Sequence, residues 1–368
     1  MKLAILGASF LQRPLVERVN AMGIESHVFA WREGNVVEDI ATAYYPISIV
    51  DQEAILEKCQ TLDVDGVITV GSDVAISTVN FVAEHMGLPG NSIECAQVSR
   101  DKHLMRERLN EFNLPVPKFH LFEDGDELPF EFPFMVKATD RSGSRGVALV
   151  YNSVEFEAAL LVTQEVSFNK KVLIEEYFEG RQFSLEFISD HGQHTFVALT
   201  EEFFTGPPQF VEMANVMPGR MEDGVLKRAI SLTKEALNAL SIQQGASHVE
   251  LRYNDQTDQF CFIEIGARMG GDFRSKLVEV AYGIDFLGAT VNAALGQSLS
   301  IESKASAQYS FIQWFSSEKD QESFAKAHSF STEQEDSFAH EGGSWQSSAD
   351  RSGYIIGATS SFPDFLSI

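Results

Sequence analysis

Cysteine is scarce in this chain. The three present, Cys59, Cys95 and Cys261, lie far apart without metal-ligand spacing, which excludes a disulfide framework and a cysteine-built metal centre. They read as reduced, buried thiols. Basic residues are also few. Lys and Arg total 28 against 53 Asp and Glu, for a net charge of -25. That balance argues against a nucleic-acid or anionic-membrane surface. No apolar run approaches membrane-spanning length and no leader precedes the first strand, so a cytoplasmic location is expected. Two glycine motifs are missing. The turn Gly7-Ala8-Ser9 lacks GxGxxG, so no NAD or FAD is assigned there. GxxxxGK[ST] occurs nowhere in the chain, which excludes the Walker loop. No Ser-His-Asp triad is evident.

What remains is an ordinary globular balance, 44% hydrophobic and 22% charged over 368 residues, enough for two or three domains. Strand and helix alternate over the first 95 or so residues. A strand at 2–6 is followed by a helix to about Met22, a strand around 27–30, a helix near 53–62, a strand at 66–70 and a helix after Ser72. Such alternation predicts an open, mostly parallel sheet. Ser99 or Asp101 caps a further helix with a Met105/Leu109/Phe112 stripe, and Lys102 sits in its first turn. A lysine there opposes the helix dipole, so it either faces an anion or is merely solvated.

The stretch Phe134–Val150, FMVKATDRSGSRGVALV, joins two apolar strands through Gly, Ser and Arg. Glycines let backbone N–H groups approach an anion, serines add hydroxyl donors, and Lys137, Arg141 and Arg145 add charge. The pattern fits a phosphate-gripping hairpin; an exposed polar turn is the plainer alternative. In VLIEEYFEG the apolar strand changes character at Glu175-Glu176-Tyr177-Phe178. A purine suits such a place, with backbone groups at its edge and Phe178 over its face. Residues 201–220 read as a long irregular loop facing substrate, with Arg220 available to a carboxylate.

Residues 248–253 and 259–265 read as a hairpin. With regular register Tyr253 opposes Gln259, Glu250 opposes Phe262 and His248 opposes Glu264. Glu250 and Glu264 are then diagonal neighbours roughly 7 Å apart. Acids that close repel unless a cation lies between them, and carboxylates with substrate phosphates are how Mg²⁺ is usually held. An exposed hairpin with alternating polar residues is the other reading. Glu264 within Phe262-Ile263-Glu264-Ile265 favours the metal, because an unpaired acid there is costly.

The order of VKATDRSGSRGV, LIEEYFEG, HVEL and FIEIGARMGGD behind a βα domain resembles the ATP-grasp superfamily, specifically its carboxylate–amine ligases and most of all those that join L-amino acids. The resemblance covers roughly residues 1–300. It implies an α/β fold, α+β in parts: a half-Rossmann domain over 1–98, an ATP-grasp domain over 99–300 with a lid at about 118–190, and a small β-rich lobe over 301–368. It implies that Lys102 and Lys137 hold ATP phosphates and that Ser142, Gly143, Ser144, Arg145 and Gly146 form a mobile flap. Glu175, Glu176 and Phe178 would meet adenine, Glu250 and Glu264 would hold Mg²⁺ or Mn²⁺, and Arg268 would neutralise the reacting phosphate. Arg220, Gly270 and Gly271 would face substrate, and His248 would orient or deprotonate an amine, or simply pair with an acid. Two positions depart from the pattern. Gly266 stands where an Asn metal ligand is usual, and Gln182 where a ribose-binding acid is usual.

The implied reaction is ATP-dependent amide formation through an acylphosphate, with a small carboxylate and a small amine as partners and no nucleic acid or membrane. A homodimer is among the assemblies allowed. Two alternatives stay open: activation of bicarbonate, formate or a nucleotide precursor, and an ATP-binding protein without catalysis.

Overall fold

The computed structural model describes residues 1–304, 308–337 and 345–366. The first section holds β1 (Lys2–Leu6), α1 (Arg13–Ala21), β2 (Glu25–Phe29), β3 (Ala43–Tyr45), α2 (Gln52–Leu62), β4 (Gly66–Ile68), α3 (Asp73–Met86) and α4 (Ile93–Arg100). Its strands form a parallel four-stranded sheet in the order β3-β2-β1-β4. Ser72 and Ser92 cap α3 and α4 with their hydroxyls, each satisfying a first-turn N–H. The expected alternation is present, with β3 and α4 as additions that the sequence pattern did not reveal.

A second section begins with α5 (Lys102–Glu111). It continues through β5 (Phe119–Phe122), β6 (Phe134–Ala138), β7 (Val147–Val150), α6 (Ser153–Val166) and β8 (Val172–Glu176). The sheet β5-β8-β6-β7 is antiparallel, and α6 packs on it through Phe134, Val136, Phe156 and Ile174. Asp101 ends α4 and caps α5, accepting from the His103 and Leu104 amides. That shared residue makes the bend at which Lys102 is presented.

The rest is one sheet. β9 (Arg181–Asp190), β10 (Gln193–Phe204), β11 (Glu212–Met217), β12 (Gly245–Asn254) and β13 (Gln259–Gly266) precede β14 (Tyr309–Phe315), β15 (Ser331–Ser337) and β16 (Gly353–Thr359). They pair in the order β13-β12-β9-β10-β11-β14-β16-β15. The helices α7 (Asp223–Ala239), α8 (Arg274–Tyr282), α9 (Phe286–Ala294) and α10 (Glu318–Ala327) lie between these strands in the chain. One side buries Phe183, Phe187, Leu251 and Phe262 with Leu237 of α7. On the other side Ile188, Met217 and Trp314 share a core with Leu3, Ile5 and Leu15 of the first section.

Two expectations change. Half of residues 201–220 is strand, the end of β10 and all of β11, because Glu201 and Glu202 are paired in the ladder rather than looped out. β9 hydrogen-bonds to β10 and β12, so the lid sheet ends at β8 instead of near residue 190. Residues beyond 301 are β-rich, and their strands extend the large sheet, β14 pairing with β11 and with β16.

Candidate active site

A cavity of about 340 Å³ lies between the lid sheet and the large sheet. The first section closes one end. Gly71 there donates its amide to the Met269 carbonyl at 3.2 Å. A Cβ on Gly71 would come within 3.2 Å of the Gly271 Cα, and Gly71 adopts a φ of +62°; only glycine combines that conformation with that approach.

The register of β12 and β13 differs from the regular hairpin. Tyr253 opposes Phe260, His248 opposes Gly266, and Glu250 stands directly opposite Glu264, with a bulge between Glu250 and Leu251. The extra residue turns Phe262 into the core and brings the two carboxylates face to face, closer than the diagonal placement. Both line the cleft.

Each acid meets a cation or a donor. Glu264 lies 3.0 Å from Lys102 Nζ, which also donates to the Arg141 carbonyl at 2.7 Å. Glu250 accepts from Gln182 Nε2 at 3.1 Å and lies 3.4 Å from His248 Nε2. The Nδ1 of His248 lies 2.6 Å from Glu186 Oε1. Burial alone would lower the histidine's pKa, but Glu186 outweighs it and pushes it up to about 10. The ring therefore pairs with Glu186 as a donor. Glu202, His248 and Glu250 also bring one ligand atom each within 4.8 Å of one another.

Glu175 is placed differently from expectation. Its carboxylate is 1% exposed and bonds Lys137 Nζ at 2.5 Å and Arg106 Nε at 2.6 Å. Arg106 in turn donates to the Ile263 carbonyl at 2.8 Å. Burial opposes the charge on Glu175, yet Arg106 and Lys137 overcome it and hold its pKa at about 2. So the Glu175 side chain is the counter-ion that orients Lys137. Glu176 pairs with Lys118 at 2.7 Å. Tyr177 and Phe178 line the cleft, and the Phe178 carbonyl accepts from Arg252 Nη1 at 2.9 Å.

Arg268 reaches the cleft with its guanidinium on Asp73, Nη2 to Oδ1 at 2.6 Å. A Cβ added to Gly266 would meet Arg268 Cζ at 3.2 Å. The missing side chain at 266 is thus space occupied by Arg268. In the flap, Gly143, Ser144 and Gly146 all have positive φ. Ser144 Oγ donates to the Phe210 carbonyl at 3.0 Å, and the Ser348 amide donates to the Gly143 carbonyl at 3.3 Å.

The expected residues mostly converge: Lys102, Lys137, Ser142, Gly143, Ser144, Arg145, Glu175, Glu176, Phe178, Gln182, His248, Glu250, Glu264, Arg268 and Gly271 all line this cavity. Gly146, Gly270 and Arg220 do not. Gly146 lies behind the flap against Val166, and Gly270 against Arg274 and His248. Arg220 is bound to Glu201 at 3.0 Å and stacks 3.6 Å over Phe362, so it faces away from the cleft. The reading missed Arg106, Glu202, Glu212, Arg274 and Arg351. Arg274 is buried and pairs with Glu202 at 2.7 Å and Glu212 at 3.3 Å; Arg351 pairs with Asp272 at 2.9 Å. Burial and the neighbouring Glu250 push Glu202 up to about 8. One signal was available, an arginine following Met105 on the buried stripe of α5.

Residues 130–276 match the family model of the ATP-grasp domain. These residues carry an ATP-grasp domain. Among solved structures, an L-amino acid ligase from Bacillus licheniformis superposes with a TM-score of 0.84 at 21% identity, covering 100% of this chain and 95% of that one. A phosphoribosylglycinamide synthetase from Anaerococcus prevotii gives 0.76 at 19% identity, covering 99% and 95%. These likenesses establish the ATP-grasp fold. In sequence, an uncharacterised protein of Sinorhizobium fredii (strain NBRC 101917 / NGR234) is 25% identical over 67% of this chain and 52% of its own length, so the chain spans about half of that relative. An alanine–anticapsin ligase of Bacillus subtilis (strain 168) is 22% identical over 75% of this chain and 66% of its own. No helix among the described residues is long and apolar enough to cross a membrane.

Proposed function

We propose that this ATP-grasp protein is an ATP-dependent, ADP-forming carboxylate–amine ligase acting on small amino-acid-like substrates. The observation that carries the reading is the meeting of Lys102, Lys137 and the 142–145 flap with Glu250 opposite Glu264 in one cleft. The named ligases among its relatives support the reaction class.

In this reading the adenine lies at the Tyr177–Phe178 end, with the backbone of that segment at its edge. Gln182 faces the ribose. Lys137, fixed by Glu175 and Arg106, and Lys102, fixed at the start of α5, hold phosphate oxygens. The flap closes over them. Two opposed carboxylates on the cleft wall suit a hard divalent ion, so Glu250 and Glu264 would hold Mg²⁺, or Mn²⁺ in its place. Once bound, that ion supplies charge neutralisation for phosphoryl transfer.

A substrate carboxylate oxygen attacks the γ-phosphorus of ATP and ADP leaves, giving an acylphosphate. The amine then attacks the acyl carbon, and phosphate departs as the C–N bond forms. Such chemistry needs positioning and charge neutralisation more than proton transfer. Arg268, beside Asp73, is the cation for the reacting phosphate and the tetrahedral intermediate. His248, as the Glu186-bound ring, would orient Glu250. Gly271 lies on the substrate side.

The test is ADP formation with pooled L-amino acids. The reading expects ADP release that depends on the pool, with Lys137→Met and Arg268→Met each losing about 100-fold or more. Release that ignores every pool, or survives both substitutions, would contradict it.

A further inference from the structure

Beside the cleft lies a smaller cavity of about 80 Å³. Asp73, Arg141, Ser142, Arg145 and Glu264 border both spaces, whereas Arg100, Val74, Asp140 and Phe168 border the smaller one alone. It therefore adjoins the cleft at the flap, and it is too small for a nucleoside.

Its charges are unevenly satisfied. In this strongly acidic chain eleven of the fifteen arginines have a described carboxylate within ion-pair distance. Among the described residues the exceptions are Arg100, Arg141, Arg145 and Arg252, and three of them meet in this cavity. Arg100, the last residue of α4, donates to Ser77 Oγ at 2.9 Å. Arg141 stacks 4.2 Å from the Phe168 ring centre, and its Nε is buried without a hydrogen-bond partner. Arg145 Nε donates only to the Ser142 carbonyl at 2.9 Å.

The bordering acids, in contrast, are already engaged. Asp73 holds Arg268, Glu264 holds Lys102, and Asp140 accepts from the Phe168 and Asn169 amides and from Ser167. Asp73 and Val74 also open α3, so the positive end of a helix dipole points the same way. Arginines brought together from two sections of the chain, without counter-ions, mark a place for an external anion. Forked guanidinium donors suit a tetrahedral oxyanion.

We propose that this side cavity binds a phosphate group, held by Arg100, Arg141 and Arg145. Two sources share that chemistry: the inorganic phosphate released in the reaction, and a phosphate carried by a substrate. That the cavity adjoins the reacting end of the nucleotide rests on the proposed ligase reading. The arginine cluster does not, and its binding test needs no turnover.

The experiment is a calorimetric titration of inorganic phosphate into the full chain saturated with Mg-ADP. Arg100 is the residue to change because it borders the side cavity and not the nucleotide cleft. Wild type is expected to bind phosphate saturably, Arg100→Gln about tenfold or more weakly, and Arg100→Lys in between. ADP affinity and thermal midpoint should be the same in all three, which separates a lost site from a misfolded one. Equal phosphate affinity in wild type and Arg100→Gln, or no saturable binding beside bound ADP, would overturn the proposal. Kinetics then distinguish the sources. If Arg100→Gln relieves product inhibition by phosphate, the ligand is the released ion. If it abolishes a preference for O-phosphoserine over serine, the ligand is a substrate group. Either result supports the site.

Discussion

Glu175 lies in the expected cleft, and its carboxylate is the buried counter-ion of Lys137 and Arg106, a role that the sequence did not reveal. Its depressed pKa has a consequence for stability. A carboxyl that is charged down to about pH 2 when folded, against 4.5 ordinarily, stabilises the fold fully above about pH 4.5. That contribution, on the order of 3 kcal/mol, is lost as pH falls toward 2. Thermal midpoints measured across this acid range should therefore fall less steeply in Glu175→Gln than in wild type, although the variant starts lower. Parallel slopes would contradict the ion-pair account. Gly266 makes a second residue-scale case. An Asn there crowds Arg268, whose Cζ would lie 3.2 Å from the new Cβ and must shift by a few tenths of an ångström. Gly266→Asn should reduce kcat by roughly 10- to 100-fold with little change in thermal midpoint. An unimpaired kcat would mean that Arg268 is not where the reaction needs it.

At the scale of elements, the flap hairpin of β6 and β7 is tied to two other parts of the chain. Ser144 bonds the turn between β10 and β11, and Gly143 bonds Ser348. A Cβ at Gly143 would collide with the Ser348 hydroxyl, and its φ is +67°. Gly143→Val should hinder flap closure and raise the KM for ATP about tenfold; an unchanged KM would show that these ties do not govern closure. The hairpins illustrate what the sequence could and could not convey. Apolar runs flanked by Gly and Ser announced β6, β7, β12 and β13, and most residues bordering the cleft followed from them. The bulge after Glu250 did not, because nothing in alternating polarity marks an extra residue. Without it Glu250 and Glu264 were read as diagonal instead of opposed. Proline and glycine at 206–208 and 218–219 do lie outside strands, but pairing of the residues around them makes β10 and β11, and Glu201 holds Arg220 away from the cleft. Long-range partners such as Glu201 for Arg220 or Asp272 for Arg351 leave no local trace.

The whole molecule is held together by continuity of its large sheet, which runs from the acid hairpin to the C-terminal strands. Phe311, Ile312 and Trp314 of β14 are buried, with Ile312 and Trp314 in the core shared with the first section. Truncation after residue 300 is therefore expected to give an unfolded or aggregated product, read by circular dichroism and gel filtration. A soluble, cooperatively folding fragment would show that β14–β16 are not needed to complete the large sheet. In the cleft the cations Lys102 of α5, Lys137 of the lid sheet and Arg145 of the flap meet the opposed pair Glu250 and Glu264 of the large sheet. In the proposed function these cations and acids serve one nucleoside triphosphate. Calorimetric titration of ATP with and without Mg²⁺, in wild type and Glu264→Gln, tests it most directly. The account predicts that Mg²⁺ tightens ATP binding by about tenfold or more in wild type, and that Glu264→Gln loses most of this gain. Equal affinity with and without Mg²⁺ in wild type, or an undiminished Mg²⁺ effect in the variant, would contradict it.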